Sequence, residues 1–218
     1  MNRKRNVLLC IIMTIITAGY IYLVKTFDVG AIGPNNSKVG FSGVNGWFKD
    51  LVGYNDTIYK ITEVLGLVVF IIVAMYACIG LYQLIKRKSL FKIDKKIILL
   101  GCFYVVVLGL YVLFDKVAIN YRPILMDGKL EPSFPSSHTM LAICVCASSL
   151  IVSKHFINRK YVKAVNVFTI ILMISVVLGR LFSGVHWFSD IIGGIIISLT
   201  LIMYFKAFYD YIRNSKIM

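Results

Sequence analysis

The chain has 218 residues, 59% of them hydrophobic, and a mean hydropathy of +0.81, far above the roughly half-apolar composition of soluble domains, which excludes an ordinary soluble protein and points to a membrane as solvent. Its 24 Lys and Arg against 10 Asp and Glu give a formal charge of +14. The basic residues gather at the ends of apolar runs rather than in one patch, so no nucleic-acid partner is implied.

A membrane-crossing helix needs about 20 largely apolar residues to span a hydrocarbon core about 30 Å thick. Six runs are read as such helices: residues 7–24, 61–84, 97–117, 139–152, 165–181 and 191–208. The first follows Asn2, Arg3, Lys4 and Arg5, as a signal peptide would, but it is long and no small-residue cleavage site closes it, so it is expected to stay as a helix. Residues 25–59 then form a long polar loop, opening as coil around Gly30, Gly33, Pro34, Asn35, Asn36 and Ser37. Within it Val44, Trp47, Phe48, Leu51 and Val52 recur at helical spacing, the pattern of a short amphipathic helix. It could lie on the membrane beside a lipid access path or pack down on the bundle, and periodicity alone does not separate these. The basic loop 86–96 reads as a topology signal that also attracts anionic lipid heads. The fourth run is short, and reaches spanning length only if it begins at Ser137 and continues toward Phe156. The expected fold is therefore all-α: a polytopic membrane protein, one six-transmembrane-helix bundle over residues 1–218, with its chemistry within 116–190.

Sixteen basic residues fall on one side: Arg3, Lys4, Arg5, Lys86, Arg87, Lys88, Lys92, Lys95, Lys96, Lys154, Arg159, Lys160, Lys163, Lys206, Arg213 and Lys216. The other eight are spread over the opposite side: Lys25, Lys38, Lys49, Lys60, Lys116, Arg122, Lys129 and Arg180. The positive-inside rule then puts both termini in the cytoplasm and the 25–59 loop outside the cell membrane. Cys10, Cys78, Cys102, Cys144 and Cys146 all lie in the runs and read as inert packing residues rather than as a disulfide framework or a metal site.

Three polar clusters fall at outward helix ends, where ionisable groups in a membrane protein usually have work to do. The first joins Lys116 to Arg122 and Pro123; one continuous helix would not bring both cations to one face, so the chain must leave helical geometry between them. The second is Pro135-Ser136-Ser137-His138, where the serines suit a helix start whose free N–H groups and positive dipole end favour an anion. The third runs from Arg180 through His186 to Asp190. His186 and Asp190, four apart, could share a helical face, with the carboxylate orienting the imidazole as in a catalytic triad. Several cations at one level invite a phosphate, which the planar donor fork of Arg matches well. Each residue alone would more often be an anchor or a packing group; their conjunction favours a site. The third histidine, His155, reads as a solvated loop residue.

Together these clusters resemble the three motifs of the type 2 phosphatidic acid phosphatase family, K-x6-R-P, P-S-G-H and S-R-x5-H-x3-D. The resemblance implies a metal-independent membrane phosphatase without cofactor that passes through a phosphohistidine. It implies His186 as nucleophile, Asp190 as its orienter and His138 as the acid that protonates the leaving oxygen. Lys116, Arg122, Arg180, Ser136 and Ser137 would hold phosphate. Gly179 stands where the pattern has serine, and Ser137 where it has glycine. The expected partners are the bilayer and a lipid phosphate or diphosphate: undecaprenyl diphosphate first, then phosphatidylglycerophosphate or phosphatidic acid. Oligomeric state is not set by the sequence. Competing readings are a lipid phosphotransferase, separable by whether phosphate goes to water or to an acceptor, and a non-catalytic phospholipid binder or transporter. The last would not need His138, His186 and Asp190 together.

Overall fold

With no water to satisfy its backbone, an apolar run must close every hydrogen bond within itself, which a helix does. The computed structural model describes residues 3–214; Lys216, counted above among the basic residues, lies outside them. Among the described residues are seven α-helices: α1 (Arg3–Thr26), α2 (Ser42–Val52), α3 (Asp56–Arg87), α4 (Lys95–Lys116), α5 (Ser137–Phe156), α6 (Arg159–Phe182) and α7 (Phe188–Asn214). All but α2 are long and apolar enough to cross a membrane. They outrun the apolar segments because polar turns extend them. Asn55 caps α3 by accepting from the Ile58 amide, and Asp94 and Asn158 do the same for α4 and α6.

The fourth span begins at Ser137 and ends at Phe156, the longer of its two possible extents. It looked short because it is the central helix, packed by α3, α4, α6 and α7, and fills its contacts with small polar side chains. Ser148, Ser149, Ser153, Cys144 and Cys146 are all buried, and small residues let helices approach closely where lipid supplies no hydrophobic drive. The bundle's outer faces expose Ile15, Leu67, Ile71, Val105 and Ile171, as a lipid-facing surface requires. Cys78 and Cys102 also lie on exposed faces, so only Cys10, Cys144 and Cys146 are packing residues; all five are free thiols.

Helix α2 packs down on the bundle, the second of the two arrangements that periodicity left open. Its inner face buries Asn45, whose side chain donates to the Gly40 carbonyl and the Ser189 hydroxyl and accepts from the Ser189 amide. Phe48 packs on Phe188 with ring centroids 5.3 Å apart. Val44, Trp47 and Leu51 remain exposed on the other face, an apolar strip suited to a membrane interface. At the opposite end of the bundle, His155 sits in the last turn of α5 rather than in a loop. It is exposed, yet its Nδ1 is 3.0 Å from Lys96 Nζ and its Nε2 is 2.7 Å from the Tyr209 hydroxyl.

Candidate active site

The starts of α3, α5 and α7, the last turn of α6 and the segment 117–136 converge at one end of the bundle. Helix α7 opens at Phe188, so His186 stands in the turn before it rather than on its face. Trp187 is in the capping position, and Asp190, three residues on, reaches back to accept from the Trp187 amide through Oδ2 at 3.0 Å. That is half of a capping box, with aspartate in the role usually taken by glutamate. Its Oδ1 accepts from the Asn120 amide nitrogen at 3.2 Å. The carboxylate is thus fully buried and already engaged, and His186 Nδ1 lies 3.8 Å from Oδ2, beyond hydrogen-bond reach. Catalytic hydrogen bonds are often this long before substrate binds. Gly184 makes the turn possible: it has φ of +70°, and a Cβ there would meet the Gly53 carbonyl oxygen at 1.9 Å.

Burial, reinforced by the positive charges of Arg122 and Arg180, holds His186 well below the usual histidine range. The imidazole is therefore neutral and able to share an electron pair at ordinary pH.

Ser136 caps α5, and its amide donates to the Asp190 carbonyl at 3.1 Å. The Ser136 amide is thus taken by α7, and the first-turn amides left over are those of Ser137, His138 and Thr139. The Ser136 hydroxyl is buried without a partner, as are Nη1 of Arg122 and Nε of Arg180. Buried donors are rarely left orphaned, and these three have hydrogens to offer to acceptor oxygens such as those of a phosphate. Arg122 pairs with Glu131 through both its backbone amide, at 3.0 Å, and its Nε, at 3.2 Å. Arg180 is 1% exposed, lies over the Tyr59 ring and donates to the Glu63 carboxylate.

Arg122, Ser137 and His186 line one cleft together with Asp115, Ser133 and Pro135. His138 lines an apolar groove between α3, α4 and α5 that also contains Gly66, Val69 and Val107. Of the residues singled out from sequence, Arg122, Arg180, Ser136, Ser137, His138, His186 and Asp190 come together. Lys116 does not. It is exposed at the end of α4, while its neighbour Asp115 lines the cleft. The register explains this: only the five residues 117–121 separate Lys116 from Arg122, one fewer than K-x6-R-P requires. The lysine position of that pattern is filled by Asp115. Sequence reasoning also missed Glu63, Asn120 and Glu131. Glu63 had a signal, being an ionisable residue inside an apolar span; Asn120 and Glu131 had none that periodicity reveals.

The Gly179 departure has a steric cause, since a Cβ at that position would meet Thr62 Cγ2 on α3 at 2.3 Å. Gly179→Ala should therefore destabilise the protein by about 1–3 kcal/mol, the usual cost of overpacking. Thr62→Ser in the same chain should restore it by removing Cγ2 while keeping the hydroxyl that donates to the Tyr59 carbonyl at 2.7 Å. Thermal unfolding in detergent of the two single variants and the double variant measures this, and additive losses would contradict the contact.

Comparison with known proteins agrees with the geometry. Residues 115–214 match the model of the PAP2 superfamily. The phosphatidylglycerophosphatase B of Bacillus subtilis is 29% identical over 105 residues, 47% of this chain and 50% of that protein; the chain thus aligns with about half the length of this curated relative. A crystal structure of a transmembrane PAP2-type phosphatidylglycerolphosphate phosphatase from Bacillus subtilis superposes with a TM-score of 0.64, covering 93% of this chain and 96% of that one at 19% identity. That likeness establishes the six-span fold.

Proposed function

We propose that this chain, whose residues 115–214 match the model of the PAP2 superfamily, hydrolyses a lipid phosphate through a phosphohistidine. The observation that carries the reading is a buried, neutral His186 under the influence of two guanidiniums, at a site that also holds unpartnered buried donors. Arg122, Arg180, the Ser136 hydroxyl and the amides of Ser137 and its neighbours receive the phosphoryl oxygens and stabilise the charge that develops on them. Asp190 holds the Nδ1 side of His186, and Nε2 gives its electron pair to phosphorus. The bond from phosphorus to the lipid oxygen breaks as that oxygen takes a proton from His138. His138 then takes a proton from water as the water oxygen attacks phosphorus, the P–N bond breaks, and inorganic phosphate leaves. Lys116 has no part in this scheme.

The name of the relative puts phosphatidylglycerophosphate ahead of undecaprenyl diphosphate as the substrate to try first, with phosphatidic acid as the next monoester. Purified protein, treated with chelator, should release phosphate from phosphatidylglycerophosphate faster than from the other two, and vanadate should inhibit. Activity returning only on addition of a metal, or no release from any lipid phosphate, would overturn the proposal. Transfer to an added alcohol in place of release would favour a phosphotransferase.

The site faces outward in this reading, which the partition of basic residues supports. Lys129 and Lys92 are both exposed, on the site-end loop and on the α3–α4 connection respectively. With the native cysteines replaced, an impermeant thiol reagent on intact cells should label Lys129→Cys and spare Lys92→Cys. The reverse pattern would invert the topology.

A further inference from the structure

Helix α3 lies outside the matched family segment, yet it adjoins the site. Glu63 Oε1 lies 3.5 Å from His138 Nε2 and also receives the Arg180 guanidinium. Among the described residues, Glu63 supplies the one carboxylate within 4 Å of His138. The packing that allows this is specific: a Cβ at Gly66, one turn on from Glu63, would meet His138 Nε2 at 3.1 Å and Cδ2 at 2.9 Å. The helix therefore closes directly on the imidazole edge.

The charged and titratable groups around His138 are otherwise cationic or neutral. Helix α6 brings Arg180, the α6–α7 turn brings His186, and the segment after α4 brings Arg122. Tyr59 lies beside Arg180 on α3, and Tyr104 of α4 lines the same groove as His138. A general acid must carry its proton when substrate arrives, and two guanidiniums oppose that. An imidazolium among them needs a nearby anion.

We infer that Glu63 is a positioning residue for the proposed hydrolysis: its carboxylate seats Arg180 and, once the phosphoryl group takes Arg180, holds the proton of His138. With Nε2 facing Glu63, Nδ1 delivers its proton to the lipid oxygen as the bond from that oxygen to phosphorus breaks. This is the orienting logic by which a carboxylate on one ring nitrogen sets the work of the other. The inference rests on the phosphatase reading and adds to it the source of the charge on the acid.

Glu63→Gln tests it, because the amide oxygen still accepts from Arg180 while the charge is gone. Wild type and variant are compared on phosphatidylglycerophosphate, whose leaving group is a poor alkoxide, and on p-nitrophenyl phosphate, whose phenolate leaves unaided. The variant should lose at least about tenfold in kcat/KM on the lipid and less than about twofold on the aryl ester. The basic limb of its pH profile on the lipid should move down by about one unit or more. In a His138→Ala background, Glu63→Gln should add less than about twofold on the lipid. Equal losses on both substrates, an unmoved basic limb, or a full additional loss in the His138→Ala background would each overturn the role. Wild-type protein inactive on both substrates would instead overturn the phosphatase reading itself. A variant that fails to fold is recognised by its melting curve, and Glu63→Asp then replaces it. With its carboxylate one methylene farther back, that variant should show the same substrate split in weaker form, and equal losses on both substrates would again overturn the role.

Discussion

His186→Ala should abolish turnover of every substrate, with a loss on the order of 10⁵-fold or more, and should abolish the acid-quenched phosphoenzyme with it. No neighbouring side chain can replace the imidazole: His138 faces Glu63, and Ser136 has no base within reach. Asp190→Asn should slow turnover by about 10²–10⁴-fold while leaving lipid binding nearly intact, because the carboxylate acts on orientation and charge. Part of that loss will come through structure, since Asp190 also accepts from the Trp187 amide and Asn120. The depressed pKa of His186 gives the pH dependence its sign. A group held below its ordinary value is already neutral there, so the nucleophile should not cost activity as pH falls until well under the usual histidine pKa of about 6.5. Phosphohistidine mapping and a pH profile on an aryl phosphate measure both; an undiminished phosphoenzyme in His186→Ala would move the nucleophile elsewhere.

The second large effect separates the two histidines. If His138 is the acid, its importance follows how badly the leaving group needs a proton. A lipid monophosphate must expel an alkoxide, so His138→Ala should lose most of the roughly 10²–10⁴-fold that a positioned acid supplies. A lipid diphosphate expels a phosphate monoester, a far weaker base, and should suffer less; an aryl ester with an acidic phenol should suffer least. His186→Ala should show no such gradation. The measurement is kcat/KM for wild type and both variants on the three substrate kinds, with single-turnover rates to identify the limiting step. Equal losses across the three for His138→Ala would make that histidine a phosphate ligand.

The architecture was legible because run length is a strong signal in a membrane solvent. It weakened only at α5, whose buried serines and cysteines belong to the centre of the bundle and so do not look like lipid-facing sequence. The site was legible where a motif keeps its residues close, as from Arg180 to Asp190 and from Pro135 to His138. It failed at Lys116, where one position on a helix end decides which side chain enters the cleft and which turns out. The spacing already carries the sign of it, five residues rather than six between Lys116 and Arg122, and Asp115 among the lining residues agrees. Glu63 was hidden for a different reason: it stands alone along the sequence, and its partners His138 and Arg180 lie on other helices.

The contact between Gly179 and Thr62 reaches beyond stability. A residue with a side chain at 179, including the serine of the family pattern, fits only if position 62 gives up its Cγ2. A side chain should therefore appear at 179 mainly where position 62 has already become smaller, and the two should be correlated across the descendants of a common ancestor. The first span to touch the site would then carry a record of which motif variant it was built to accept, although it holds none of the motif itself.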